Sequence, residues 1–129
     1  MPITSFADYA REVEETLHSA IAAGEAVSVS VQVDQHSSLR GSVGGTLQFN
    51  DGSQLHFREF LDVSLPEPRL AYAYHHQSSD QRLVFRYDDA AHGPALASST
   101  HKRLPTGAEP SPAPSLAQVL SEIVARFRP

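Results

Sequence analysis

The sequence predicts an α+β domain in which an antiparallel meander sheet of about five strands carries an N-terminal and a C-terminal helix packed on one face. Near both ends of the chain, apolar residues recur at helical spacing. Between the ends, short runs of alternating apolar and polar residues are separated by turn residues. The length of 129 residues is typical of one unit. We therefore expect residues 1–129 to form a single domain.

The first predicted element is a helix over residues 6–23. Ser5 can cap its start, acidic residues follow in the first turns, and Gly24 ends it. Its apolar stripe consists of Phe6, Tyr9, Val13, Leu17 and Ile21. Such a stripe is typical of a helix that packs on a core.

Alternation predicts the strands that follow, at about residues 26–34, 43–49, 54–63, 70–77 and 82–88. Alternating strands give the sheet one apolar face and one polar face. An odd-length loop ending at Gly52 would keep Leu47 opposite Leu55 on the apolar side. A four-residue loop after Gln77 would place Ala73 opposite Arg86.

The rest of the chain is predicted as a long loop, 89–114, and a final helix, 115–127. Loops of this length in small domains are usually functional, and the second half of this one is rich in proline. Ser115 and Gln118 form a capping box at the helix start. The apolar face of the helix consists of Leu116, Val119, Leu120, Ile123 and Phe127.

Composition narrows the class of protein. The chain has no cysteine, which excludes disulfides and thiolate chemistry. It carries a net charge of −5, which argues against a broad nucleic-acid-binding surface. Residues 90–104, however, contain Lys102 and Arg103 and no acid. No apolar run is long enough for a membrane span and no signal peptide is evident, so we expect a cytoplasmic protein without membrane contact.

Two charged residues on the fifth predicted strand are candidates for a site. Arg86 and Asp88 share a face because they are two residues apart. They could form a surface ion pair of little energetic weight. Alternatively, Asp88 orients Arg86, or a histidine, for anion binding. Arg58 and His75 would lie on the same polar face, whereas Glu59 would point inward and need a partner such as a tyrosine hydroxyl.

The histidines of the predicted loop could carry acid–base chemistry. His92 and His101, near Arg86, Lys102 and Arg103, would suit metal-independent cleavage of a phosphodiester. One histidine would take the proton from a ribose 2′-hydroxyl and the other would protonate the leaving oxygen, while the cations stabilise the phosphate. Alternatively, these histidines are simply solvated. A zinc site formed by His75, Asp88 and the loop histidines is a third option, but no metal-binding motif supports it, and we expect no cofactor.

Five short segments occur in order along the chain: Leu55-His-Phe-Arg-Glu-Phe60, Tyr72-Ala-Tyr-His75, Phe85-Arg-Tyr-Asp88, His92, and His101-Lys-Arg103. With the Pro-rich segment and the short helix that follow, they resemble the TumE family of small prokaryotic toxins. The resemblance covers roughly residues 40–125. Where the family has clustered histidines, this chain retains one in each cluster, so a polyhistidine metal site is not expected.

The resemblance implies the toxin component of a toxin–antitoxin pair, held inactive by a cognate antitoxin. Together with the basic histidine loop, it leads us to expect action on RNA, by metal-independent cleavage or by binding that inhibits translation. We expect Arg86, His92 and His101 to bind phosphate and transfer protons, and Asp88 to orient them. The other residues that would support RNA binding are Lys102, Arg103, His75 and Arg58. The alternatives are a metal-dependent hydrolase and a non-enzymatic protein-interaction domain, which could be a homodimer.

Overall fold

The computed structural model describes residues 4–89 and 100–127. The elements are α1 (Phe6–Ala22), β1 (Ala26–Gln35), β2 (Arg40–Phe49), β3 (Gln54–Asp62), β4 (Arg69–Gln77), β5 (Leu83–Asp88), β6 (His101–Leu104), β7 (Gly107–Pro110) and α2 (Leu116–Ala125). Within the described ranges, the strands form one antiparallel sheet of seven strands in sequence order. The α+β meander is confirmed, and the count of about five strands was wrong.

The two additional strands, β6 and β7, lie inside the segment predicted as a loop. Each is only four residues long, and neither alternates apolar and polar residues. Pairing with β5 places Arg103 opposite Arg86 and His101 opposite Asp88. The hairpin then turns at Gly107, whose φ of 143° is a conformation that favours glycine. Tertiary pairing, rather than an intrinsic pattern, therefore defines these strands.

The turn between β2 and β3 has the predicted odd length. Leu47 pairs with Leu55 and both are buried. The backbone N–H of Phe49 donates to the carbonyl of Ser53 at 2.9 Å, which closes a three-residue loop. Gly52 adopts φ 85°, the left-handed conformation that such a loop requires at its last position. The prediction for this turn is confirmed.

The predicted register between β4 and β5 was wrong. The structure pairs His75, not Ala73, with Arg86. The loop closes over three residues instead of four, with Gln81 at φ 68°, and this shifts the register by one residue. A bulge after His76 shifts it by one more. Because the two shifts together preserve parity, Arg86 keeps its predicted face but gains a histidine as its cross-strand neighbour.

Both helices cover one face of the sheet, and their apolar residues join one core with the inward residues of the strands. Tyr74 and Phe85 are fully buried there, as predicted from strand parity. Two hydrogen bonds connect α2 to the sheet: the Tyr87 hydroxyl donates to Glu122 Oε1 at 2.5 Å, and Lys102 Nζ donates to Glu122 Oε2 at 2.8 Å. Within the described residues, the opposite face of the sheet carries no helix.

Glu59 is the buried acid of the core side. The hydroxyl of Tyr9 in α1 donates to its Oε1 at 2.8 Å, and the hydroxyl of Tyr74 donates to its Oε2. Burial raises the pKa of Glu59, although the two tyrosines oppose this shift. The predicted tyrosine partner is confirmed, and these contacts connect α1 to β3 and β4.

Candidate functional site

A row of polar side chains crosses the helix-free face of the sheet. The pairings of β2 to β6 align Thr46, His56, His75, Arg86 and Arg103. We call these residues the polar row. Neighbouring strands lie about 4.8 Å apart, so each side chain of the row is close to the next. This face therefore brings together two arginines and two histidines that are distant in sequence.

A buried aspartate fixes the arginine end of the polar row. The Asp88 side chain is only 4% exposed. Arg86 Nε donates to Asp88 Oδ2 at 2.9 Å, and Arg103 Nε lies 3.4 Å from the same oxygen. His101 Nδ1 lies 4.0 Å from the other oxygen, Oδ1. One carboxylate thus hydrogen-bonds Arg86 and lies at ion-pair distance from Arg103, and the two guanidinium charges outweigh its single negative charge.

His75 sits between the arginines and the second histidine. Arg86 Nη1 is 3.4 Å from Nδ1 of His75, and a guanidinium can only donate, so this nitrogen acts as the acceptor. Burial lowers the pKa of His75, and the nearby Arg86 and His56 lower it further. The imidazole is therefore neutral near pH 7.

His56, which was not among the predicted site residues, is the second histidine of the polar row. Its ring centroid lies 6.5 Å from that of His75, with 42° between the ring planes. Thr46 Oγ1 is 3.0 Å from His56 Nδ1, and Gln54 Oε1 is 3.2 Å from Nε2. The signal that could have identified His56 is its register, because the pairing of β3 with β4 places it directly opposite His75.

The polar row borders an open pocket of about 680 Å³. Its lining includes His56, Arg58, His75 and Arg86. At Gly44, which also lines it, a Cβ atom would lie 2.9 Å from the backbone oxygen of Phe57, so a side chain does not fit without a shift. The pocket therefore combines donor groups on its walls with bare backbone at Gly44.

The structure separates the predicted Lys102–Arg103 pair. The two residues are adjacent on β6 and point to opposite faces, so Arg103 joins the polar row. Lys102 contacts Glu122 on the helix side, and its Nζ lies 5.1 Å from the centroid of the Tyr87 ring. Arg58 lies on the polar face, with its guanidinium 4.7 Å from the centroid of the Phe60 ring.

Of the two histidines predicted to transfer protons, the structure describes one. His101 is described, and its side chain is 6% exposed beside Asp88. His92 lies outside the described residues. Within residues 4–89 and 100–127, no group of three or more histidine and acidic residues is arranged to hold a metal ion.

Fold and site together define a small α+β protein with a cationic, histidine-bearing sheet face. In the described part of the chain, no helix is long and apolar enough to cross a membrane. A family model described as "Toxin TumE" matches residues 10–128, so the chain belongs to the TumE toxin family. This membership makes it a toxin component of a toxin–antitoxin system, with a cognate antitoxin as its partner. No curated protein and no solved structure matches the chain.

Proposed function

We propose that this TumE-family toxin acts on RNA through the polar face of its sheet. The observation that supports the proposal is the pair of guanidinium groups, Arg86 and Arg103, which the buried Asp88 orients. Guanidinium groups bind phosphate oxygens bidentately, and holding them in place beforehand reduces the entropy lost on binding.

Other residues of the same face would extend the contact. Arg58 and His75 line the pocket next to Arg86, so a nucleic-acid strand bound across the sheet would meet them in turn. Lys102 is not included in this surface, because its amine is held by Glu122 on the other face. The net charge of −5 would confine phosphate contacts to this cationic region.

The toxic effect would follow from cleavage of the RNA or from inhibition of translation by bound toxin, in the cytoplasm. The sequence-based prediction assigns proton transfer to His92 and His101, with Asp88 orienting. The contact between His101 and Asp88 is compatible with an orienting role for this carboxylate. The antitoxin would neutralise the toxin by covering the polar face or by stabilising an inactive state.

Growth arrest and RNA binding test this proposal together. Arg86→Ala with Arg103→Ala should relieve arrest in cells without the antitoxin and weaken binding of purified protein to single-stranded RNA at least about tenfold. Lys102→Ala is the matched control, since it removes a cation adjacent in sequence but on the opposite face. Circular dichroism would verify folding of each variant.

Two results would contradict the proposal. One is a folded Arg86/Arg103 double variant that still arrests growth and binds RNA like the wild type. The other is a wild-type protein with no affinity for RNA at low salt, which would favour a non-enzymatic interaction domain.

A further inference from the structure

We infer that His56 and His75 form the proton-transfer pair of an RNA-cleaving site in which the ribose 2′-hydroxyl is the nucleophile and Arg86 binds the scissile phosphate. The inference rests on the proposed action on RNA and deepens it. It assigns the chemistry to residues of the pocket rather than to His92 and His101.

The separation of the two imidazoles suits one phosphate between them. Their centroids are 6.5 Å apart on neighbouring strands, and both rings line the pocket. A phosphodiester bound in the pocket next to Arg86 would lie over both rings, which line the same cavity. In-line displacement needs an acid and a base on opposite sides of the phosphorus, and in this scheme the two histidines would take these positions.

Binding of the phosphate by Arg86 would free the nitrogen of His75 that acts as the general base. The Arg86 guanidinium donates to Nδ1 of His75, so this nitrogen carries a lone pair and no proton. The 3.4 Å contact is long, whereas a phosphate would offer shorter, charge-assisted bonds to Arg86. Movement of Arg86 toward the phosphate would leave Nδ1 free to accept a proton. Burial and the nearby Arg86 lower the pKa of His75, which keeps the base form populated at neutral pH.

His56 is placed to act as the acid. Gln54 Oε1 is an acceptor 3.2 Å from His56 Nε2, so this contact favours the tautomer with a proton on Nε2. Thr46 Oγ1, 3.0 Å from Nδ1, can accept as readily as it donates, so it also accommodates the protonated imidazolium. These two contacts fix the orientation of the His56 ring, whose centroid lies 6.5 Å from that of His75. In this scheme Thr46 and Gln54 are positioning residues.

The chemical step is a transesterification. His75 Nδ1 accepts the proton of the 2′-hydroxyl as the 2′-oxygen forms a bond to phosphorus. The bond from phosphorus to the 5′-oxygen breaks, and the imidazolium of His56 gives its proton to that oxygen. Arg86 stabilises the negative charge on the non-bridging oxygens. The products are a 2′,3′-cyclic phosphate and a 5′-hydroxyl, and no oxidant or co-reactant is consumed.

The environment of His101 favours a different role for that residue. Its side chain is 6% exposed, lies beside Asp88, and is not part of the pocket lining. A proton-transfer group has to touch the reacting atoms, and the pocket-lining histidines are placed to do so. His101 instead contacts the carboxylate that positions Arg86 and Arg103.

The test uses purified full-length protein and total cellular RNA, followed by a short single-stranded RNA that contains the mapped cleavage position. His56→Ala and His75→Ala should each lower the cleavage rate by about 100-fold or more, because general acid–base groups contribute about 10²–10⁴-fold. RNA affinity should change less than about threefold. His18→Ala, a substitution of an exposed histidine on α1, is the matched control and should cleave like the wild type. Circular dichroism would confirm that each variant is folded.

Two readouts separate a chemical role from a structural one. Wild-type products should carry 2′,3′-cyclic phosphate ends, and a 2′-deoxy substitution at the scissile nucleotide should abolish cleavage while leaving binding intact. The pH–rate profile should be bell-shaped, and replacing either histidine should remove one limb.

Several results would overturn the inference. The first is unchanged cleavage by the His56 and His75 variants. The second is loss of cleavage that is confined to the double variant His92→Ala with His101→Ala. The third is cleavage that a chelator abolishes. Wild-type protein that binds RNA without cutting it would also overturn the inference and leave the proposed RNA binding intact. Protein that neither binds nor cuts RNA would contradict the proposed function itself.

Discussion

His75 and His76 are adjacent in sequence and lie on opposite faces of the same strand, and their environments differ sharply. His75 is partly exposed, contacts Arg86 and faces His56. His76 is 2% exposed and packs between the rings of Phe49 and Phe85. Lys102 and Arg103 repeat the division on β6, where the lysine contacts α2 and the arginine contacts Asp88. The face, more than the residue type, therefore decides whether a side chain serves packing or is available to a ligand.

The largest effect expected is on the charged centre of the polar face. Asp88→Asn should lower the free energy of unfolding by about 3 kcal/mol, because it leaves two arginines without their buried counter-charge. It should also weaken RNA binding, since Arg86 and Arg103 lose their orientation. Urea denaturation at pH 7 measures the first effect.

The control for Asp88 is Asp80→Asn, at an exposed aspartate whose ion pair with Arg82 lies in the β4–β5 turn. This variant should keep the urea midpoint of the wild type, because exposed ion pairs contribute little. Equal midpoints for all three proteins would show that the Asp88 cluster does not stabilise the fold.

A smaller effect is expected on the packed face, at His76. Burial, helped by the nearby Arg126, lowers the pKa of His76 from its ordinary value of 6.5 to about 4. Above pH 6.5 the residue is neutral in both folded and unfolded states. Below that pH the unfolded chain binds a proton that the folded protein does not bind, so stability falls as the pH decreases toward 4. Between pH 7 and pH 5 the loss should be about 2 kcal/mol.

His76→Leu removes this titration and should give a flatter pH–stability profile over that interval. The same substitution at the partly exposed His75, whose pKa is also lowered, should flatten the profile less. Thermal unfolding between pH 5 and pH 7.5 compares the two variants with the wild type. A His76→Leu profile parallel to that of the wild type would contradict the assigned titration.

Helical spacing of apolar residues predicted both helices, and alternation predicted the first five strands, so the α+β class followed from the apolar periodicity of each element. Alternation did not predict β6 and β7, because each has only four residues and is defined by pairing with a neighbouring strand. Parity predicted the face of Arg86 and Asp88 and the inward position of Glu59. It could not predict that His75 faces Arg86, since this depends on the φ of Gln81 and on a bulge. The pairing of His56 with His75 was likewise missed, because it depends on the register between β3 and β4.

The smallest effect is expected on RNA binding when Arg103 of β6 is replaced. Its neighbour Lys102 gives the sharpest contrast between the two faces of the sheet. Arg103→Ala should weaken binding to single-stranded RNA roughly three- to tenfold, which corresponds to about 1 kcal/mol. It should also lower the slope of log affinity against log salt by about 0.7, the value for one lost phosphate contact on a single strand. Lys102→Ala should leave both quantities unchanged and reduce stability instead, since Glu122 loses its cation. Fluorescence anisotropy at several salt concentrations measures both variants. Equal salt slopes for the two would mean that RNA does not distinguish the faces of the sheet, and the cationic face would then lose its assignment as the binding surface.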